Sequence, residues 1–240
     1  MMTTMVSQLS YQLSYPINRM SHESTLATPP IVLIVGKKGA GKDTLASHLI
    51  SRGWVQFAFA DTIKDALCVL MDWDMSRFEH PTKEEIDPEW NTTPRQMCQL
   101  IGTEFLRQQC NFLKTDISHP SDTSRQFPAT FHIKRLHMKL CNYVKSHPDV
   151  PGIVITDGRF PDELSYVRDF MKGQLWKIER PRNGVSSSDP HPSETHIDNF
   201  PAEWFDHHLL NNGTIDDLYR HADTLMDELA DSSKRVHSSH

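Results

Sequence analysis

The stretch Ile31-Val32-Leu33-Ile34-Val35-Gly36-Lys37-Lys38-Gly39-Ala40-Gly41-Lys42-Asp43 decides the fold. Its first five residues are a continuous aliphatic run rich in β-branched side chains, the pattern of a strand buried on both faces of a parallel sheet. Residues 36–42 fit G-x-x-x-x-G-K, and residues 43–51 carry Leu45, Leu49 and Ile50 at helical spacing, closed by Arg52-Gly53. A strand, a glycine turn and a helix in that order make a phosphate-binding loop: the glycines let successive N–H groups point inward, and the helix N-terminus adds positive potential. Lys42 then reaches the outer phosphates. A lysine about 4 Å from a phosphate charge contributes roughly 4 kcal/mol at an effective dielectric near 20, before its own desolvation is counted. Gly36, Lys38, Gly39, Ala40, Gly41, Lys42, Asp43 and Thr44 are the phosphate-binding candidates of this segment. Asp43 stands where Ser or Thr usually ligates Mg²⁺, which leaves three sources of a metal ligand: Asp43, Thr44, or a water held by Asp43.

Outward from this turn the chain alternates strands and helices. Residues 54–60 read as a second strand, and Asp61 as the cap of a helix carrying Ile63, Ala66, Leu67 and Leu70. Residues 72–92 are acidic, contain Pro and Trp, and lack a period, so they read as an insertion. Thr93-Pro94-Arg95-Gln96 is a helix start with Thr as N-cap, Pro at N1 and Gln at N3, followed by a stripe of Met97, Leu100, Ile101, Phe105 and Leu106. Residues 119–128 read as a polar loop and residues 131–144 as a helix. Ile153-Val154-Ile155 is another buried strand, residues 161–172 a helix stopped by Gly173, 175–178 and 208–210 strands, and 214–229 the last helix. The alternation predicts a three-layer α/β fold with a mainly parallel sheet flanked by helices.

Three further groups have chemistry suited to phosphates. Asp157-Gly158-Arg159 follows a buried strand, at the sheet edge where ligands bind in such folds; Asp157 is placed to act on Mg²⁺ directly or through water, and Arg159 to fork onto a phosphate. Arg95 and Gln99 share a helix face at i,i+4, with Arg107 farther along the same segment. Arg180 and Arg182 enter a Ser- and Pro-bearing loop over 180–195, where arginines can close as a lid over transferring phosphates.

These segments in this order, together with Phe59-Ala60-Asp61, Lys64, Gly102-Thr103-Glu104 and Asn211-Asn212-Gly213-Thr214, resemble the phage-type deoxynucleoside monophosphate kinases, P-loop kinases of the nucleoside monophosphate kinase group. The likeness spans about residues 31–229. It implies a P-loop kinase fold with a helical acceptor-binding region over about 61–147 and the lid loop, with ATP and Mg²⁺ as the donor pair and a deoxynucleoside monophosphate as acceptor. It also implies Asp61, Lys64, Arg95, Gln99, Thr103 and Arg159 on the acceptor side, and Asn212 and Gly213 near the donor adenine. Asp43 in the loop is a feature those kinases share. Phosphomevalonate kinase and dephospho-CoA kinase have similar loops or endings and are the nearest alternatives, with a nucleic-acid-stimulated ATPase more remote.

Composition narrows the rest. The 240 residues hold 10 glycines, where average usage of roughly 7% gives about seventeen, yet Gly36, Gly39 and Gly41 fall together. A net charge of −6 without a basic block argues against stable nucleic-acid binding or an anionic-membrane surface. Cys68, Cys98, Cys110 and Cys141 lack metal-ligand spacing and read as reduced thiols. The aliphatic run Ile31–Val35 is too short for a span, and no targeting segment precedes it, so the chain is expected to be cytoplasmic. Residues 1–30 read as an extension, 31–229 as one kinase domain and 230–240 as a tail. Homodimerisation stays open.

Overall fold

The computed structural model describes residues 29–181 and 196–237. The expected N-terminal extension and nearly all of the lid loop, with Arg182, therefore lie outside the described residues.

Strand β1 (Ile31–Val35) is fully buried and lies at the centre of a five-stranded sheet. Its neighbours are β5 (Ile153–Ile155) and β6 (Gln174–Glu179), with β2 (Val55–Phe57) and β7 (His207–Leu210) on the edges, and every pairing is parallel. Because successive strand side chains point to opposite faces, β1 feeds two cores. Leu33 and Val35 pack with Ile133, Leu136 and Leu140 of helix α4 (Phe131–Ser146) and with Tyr166 and Phe170 beyond helix α5 (Pro161–Ser165). Val32 and Ile34 pack on the other face with Leu45 and Leu49 of α1 (Lys42–Ser51) and Leu218 and Leu225 of α6 (Ile215–His237). The three layers expected from the alternation are the architecture observed. The loops after β1, β2 and β5 all open at the carboxyl edge of the sheet, where such folds bind ligands.

Several local expectations need correction. Strand β2 covers only three residues. Asp61 lies inside helix α2 (Asp61–Met71), whose N-cap is Ala60, and its carboxylate reaches back to the N–H of Ala58 at 2.9 Å. The supposed polar loop at 119–128 is mostly the second strand of a hairpin, β3 (Thr115–His119) with β4 (Asp122–Ala129), in which Ile117 faces Phe127. Only alternate residues of that hairpin turn inward, so its exposed positions gave it a loop-like composition. Helix α3 (Pro94–Cys98) has the expected capping box, Gln96 N–H to Thr93 Oγ1 at 3.1 Å and Thr93 N–H to Gln96 Oε1 at 3.0 Å. It continues over Gln99–Gln109 with π-type i→i+5 bonding, which rotates the expected apolar stripe: Gly102 and Thr103 are buried, while Leu100 and Phe105 are exposed. The last helix continues past Leu229 to His237.

Candidate active site

The turn after β1 is built by close approach. A Cβ on Gly36 would lie 2.4 Å from the carbonyl oxygen of Ile178 on β6, so no larger residue fits there. Gly39 and Gly41 have φ of 77° and 109°, the left-handed region that favours glycine. The loop curls around its own lysine: Lys42 Nζ donates to the carbonyl oxygens of Gly36 at 2.6 Å and Lys37 at 3.0 Å. From the end of β7, the Asn211 side-chain amide donates to Ala40 O at 2.8 Å and so ties the last strand to the loop.

A cavity of about 480 Å³ opens beside this loop, within the range of small-ligand sites. Lys38, Gly39, Lys42 and Asp43 line it on the loop side, and Lys64, Arg95, Gln99 and Thr103 on the side of α2 and α3. The i,i+4 pair Arg95 and Gln99 thus meets the same space, as their spacing predicts. Asp157 and Arg159 close the cavity from the end of β5. Asp157 is anchored rather than loosely poised: its Oδ1 accepts from Phe59 N–H at 2.8 Å and its Oδ2 from Ala60 N–H at 2.9 Å, fixing the turn into α2. Burial, and secondarily the charge of Asp157, raise the carboxyl of neighbouring Asp61 above the ordinary range, against the pull of the Ala58 N–H.

The far wall is an ion cluster around the buried carboxylate of Glu163. The Arg107 guanidinium pairs with Asp162 at 2.8 Å and with Glu163, and lies 3.8 Å from the centre of the Phe160 ring. Glu163 Oε2 also accepts the N–H groups of Arg159 at 2.8 Å and Phe160 at 3.2 Å. Burial pushes the Glu163 carboxyl up, while Arg107 and the Arg159 N–H pull the other way. His132 lies at the same wall. Burial, reinforced by the charge of Arg107, holds its imidazole down at about 4, so it is neutral.

No family model matches the chain. A protein of Acanthamoeba polyphaga mimivirus, described as "Putative deoxynucleotide monophosphate kinase", is 34% identical over 194 residues, covering 79% of this chain and 92% of the relative. The chain belongs to the deoxynucleotide monophosphate kinase family. Similar solved structures include TT1252 from Thermus thermophilus, at 17% identity and a TM-score of 0.37, and the dephospho-CoA kinase from Campylobacter jejuni, at 12% identity and a TM-score of 0.45. Each spans 84% of this chain and 98% of its own.

Around the kinase cavity the candidate residues divide into three groups. Lys38, Gly39, Lys42, Asp43, Asp61, Lys64, Arg95, Gln99, Thr103, Arg107, Asp157 and Arg159 line one space. Gly36, Ala40 and Gly41 shape the loop, and Thr44 lies in α1, outside that lining. Asn212 and Gly213 are exposed and outside the lining; the contact with the loop comes from Asn211, one residue earlier. Arg107 lines the cavity, but its guanidinium is committed to Asp162 and Glu163. Phe78, His80 and Lys83, from the acidic insertion, also line the cavity. The sequence carried no signal for them, because their approach depends on how residues 72–92 fold back over the site.

Proposed function

We propose that this kinase transfers the γ-phosphoryl group of ATP to a deoxynucleoside 5′-monophosphate, giving the diphosphate and ADP. The observation that carries the reading is one cavity with a glycine-built loop and Lys42 on one side and Lys64, Arg95 and Arg159 on the other. A phosphate donor and a phosphate acceptor need such facing cations, and the family relationship supplies the nucleotide. An oxygen of the acceptor phosphate attacks the γ-phosphorus as the bond to the β–γ bridging oxygen breaks, and that oxygen leaves with ADP. The acceptor is already ionised at neutral pH, so positioning and charge neutralisation carry the rate rather than a strong general base. In this scheme Lys42 neutralises the outer donor phosphates, Arg95 and Lys64 hold the acceptor, and Arg159 spans toward the transferring group.

The donor set suits Mg²⁺. Asp43 and Asp157 are hard carboxylate ligands lining the same cavity as Lys42, and among the described residues no group of three or more His, Cys, Asp or Glu forms a metal cage. Mg²⁺ in phosphoryl-transfer sites is held by one or two carboxylates together with phosphate oxygens and waters. Asp43 and Asp157 would hold it, Asp157 with the lone pairs its two N–H contacts leave, and the ion would supply charge neutralisation at the donor phosphates. Among the described residues no helix is long and apolar enough to cross a membrane.

An ADP-release assay with dAMP, dGMP, dCMP, dTMP, phosphomevalonate and dephospho-CoA as acceptors tests the proposal. Turnover with at least one deoxynucleotide is expected; turnover confined to the last two acceptors, or ATP hydrolysis stimulated by DNA alone, would overturn it.

A further inference from the structure

We infer that Glu84, in the insertion between α2 and α3, is a counter-charge that the acceptor's phosphate must displace, so that this segment sets affinity for phosphate-bearing acceptors. The inference rests on Arg95 being an acceptor ligand. Glu84 ends a short 3₁₀ turn (Thr82–Glu84) that is braced locally: the Thr82 hydroxyl donates toward Ser76 O at 2.8 Å and Glu79 O at 3.0 Å, and Glu85 N–H bonds to Thr82 O at 3.0 Å. The turn presents the carboxylate to two cations, Lys38 and Arg95, that line the cavity. Glu84 Oε1 accepts from Lys38 Nζ of the phosphate-binding loop at 2.6 Å and lies 3.5 Å from Nη1 of Arg95 on α3. Lys38 and Arg95 both line the cavity, as do Lys83, Phe78 and His80 of the same segment.

An acceptor phosphate on Arg95 and the Glu84 carboxylate are like charges competing for the same guanidinium. Partial desolvation favours the neutral acid of Glu84, but the Lys38 hydrogen bond and the charges of Arg95, Lys38 and Lys83 hold its carboxyl below the ordinary range. The side chain therefore stays anionic at neutral pH. The contact is also weak enough to give way, because the Lys38 and Glu84 side chains keep 46% and 35% of their surface exposed and such ion pairs are small. A phosphate dianion carries more charge than the carboxylate and can engage arginine through two oxygens, so it wins the exchange at a cost in apparent affinity.

The test is steady-state kinetics of the full-length enzyme at saturating ATP, with the best-used of dAMP, dGMP, dCMP and dTMP as acceptor. E84Q keeps the shape and removes the charge; its acceptor KM is expected to fall about twofold to fivefold, with an unchanged melting temperature. E84D retains the charge and is expected to show no such fall. In R95A the acceptor KM rises, and in the double variant R95A/E84Q the gain from E84Q is lost. If R95A weakens acceptor use while E84Q leaves the acceptor KM unchanged or raises it, Glu84 is a brace rather than a competitor and the inference is overturned, with the site reading intact. If R95A leaves acceptor use unchanged, the assignment of Arg95 is wrong and the inference goes with it.

Discussion

Lys42 is held by the loop it serves, its ammonium bonded to the carbonyls of Gly36 and Lys37. The loop is thus shaped around a positive charge, and in the proposed reaction the ammonium would exchange these carbonyl partners for donor phosphate oxygens. Lys42→Ala is expected to lower kcat by about 10²–10³-fold, the range seen when one electrostatic partner of a transition state is removed, with the melting temperature little changed. Near-wild-type turnover would remove Lys42 from the mechanism. Arg159 differs, because its backbone N–H is fixed by Glu163 while its side chain faces the cavity beside Asp157. Arg159→Ala is expected to reduce acceptor kcat/KM by roughly tenfold to a hundredfold, the worth of a charged hydrogen bond, and to change ATP binding less. Equal losses for donor and acceptor would speak against an acceptor role.

At the scale of the element, α3 shows how a local signal aims a functional side chain. The Thr93–Gln96 capping box fixes the first turn, and Arg95 lies within that turn, so the cap aims the guanidinium into the cavity. Thr93→Ala is expected to cost about 1 kcal/mol, a fall of about 2–4 °C in Tm for a chain of this size, and to raise the acceptor KM as the first turn frays. A loss of stability with an unaltered acceptor KM would show that Arg95 is aimed by other contacts. This cap was legible because all its partners lie within four residues, and β1 with its glycine turn was legible because a buried run followed by glycines has few other readings. The hairpin β3–β4 was not, since its strands are defined by Ile117 meeting Phe127 and by the core behind them rather than by their own composition. The π-type continuation of α3 was hidden for a related reason: its i→i+5 bonding turns Gly102 and Thr103 inward where a 3.6-residue period places larger apolar residues. Asn211 and Glu84 take their roles from contacts 171 and 46 residues away, beyond any spacing argument.

Across the whole molecule, the wall behind the acceptor side couples the site to stability through protons. Native His132 binds a proton only near pH 4, because it is buried and faces the Arg107 guanidinium, whereas an unfolded histidine binds one near 6.5. Between those values the unfolded chain holds more protons, so His132 contributes stability that is fully present above pH 6.5 and is lost as pH falls toward 4. At about 1.4 kcal/mol per unit the full effect is on the order of 3 kcal/mol. His119 and His137, also lowered by burial, act in the same sense. Glu163 pulls in the opposite sense: burial raises its carboxyl above that of an unfolded glutamate, while Arg107 and the Arg159 N–H, donating to its two oxygens, hold it down. The net acid profile of the native chain therefore mixes signs, and the informative quantity is a difference between variants. His132→Asn removes one titrating group and keeps a polar side chain against Asp162 and Arg107. In urea unfolding at pH 7 and pH 4.5, the variant is expected to lose less stability than the native chain on acidification, by about 2–3 kcal/mol. Parallel losses in the two proteins would mean that His132 is protonated within the native wall, with Asp162 rather than Arg107 dominating its surroundings.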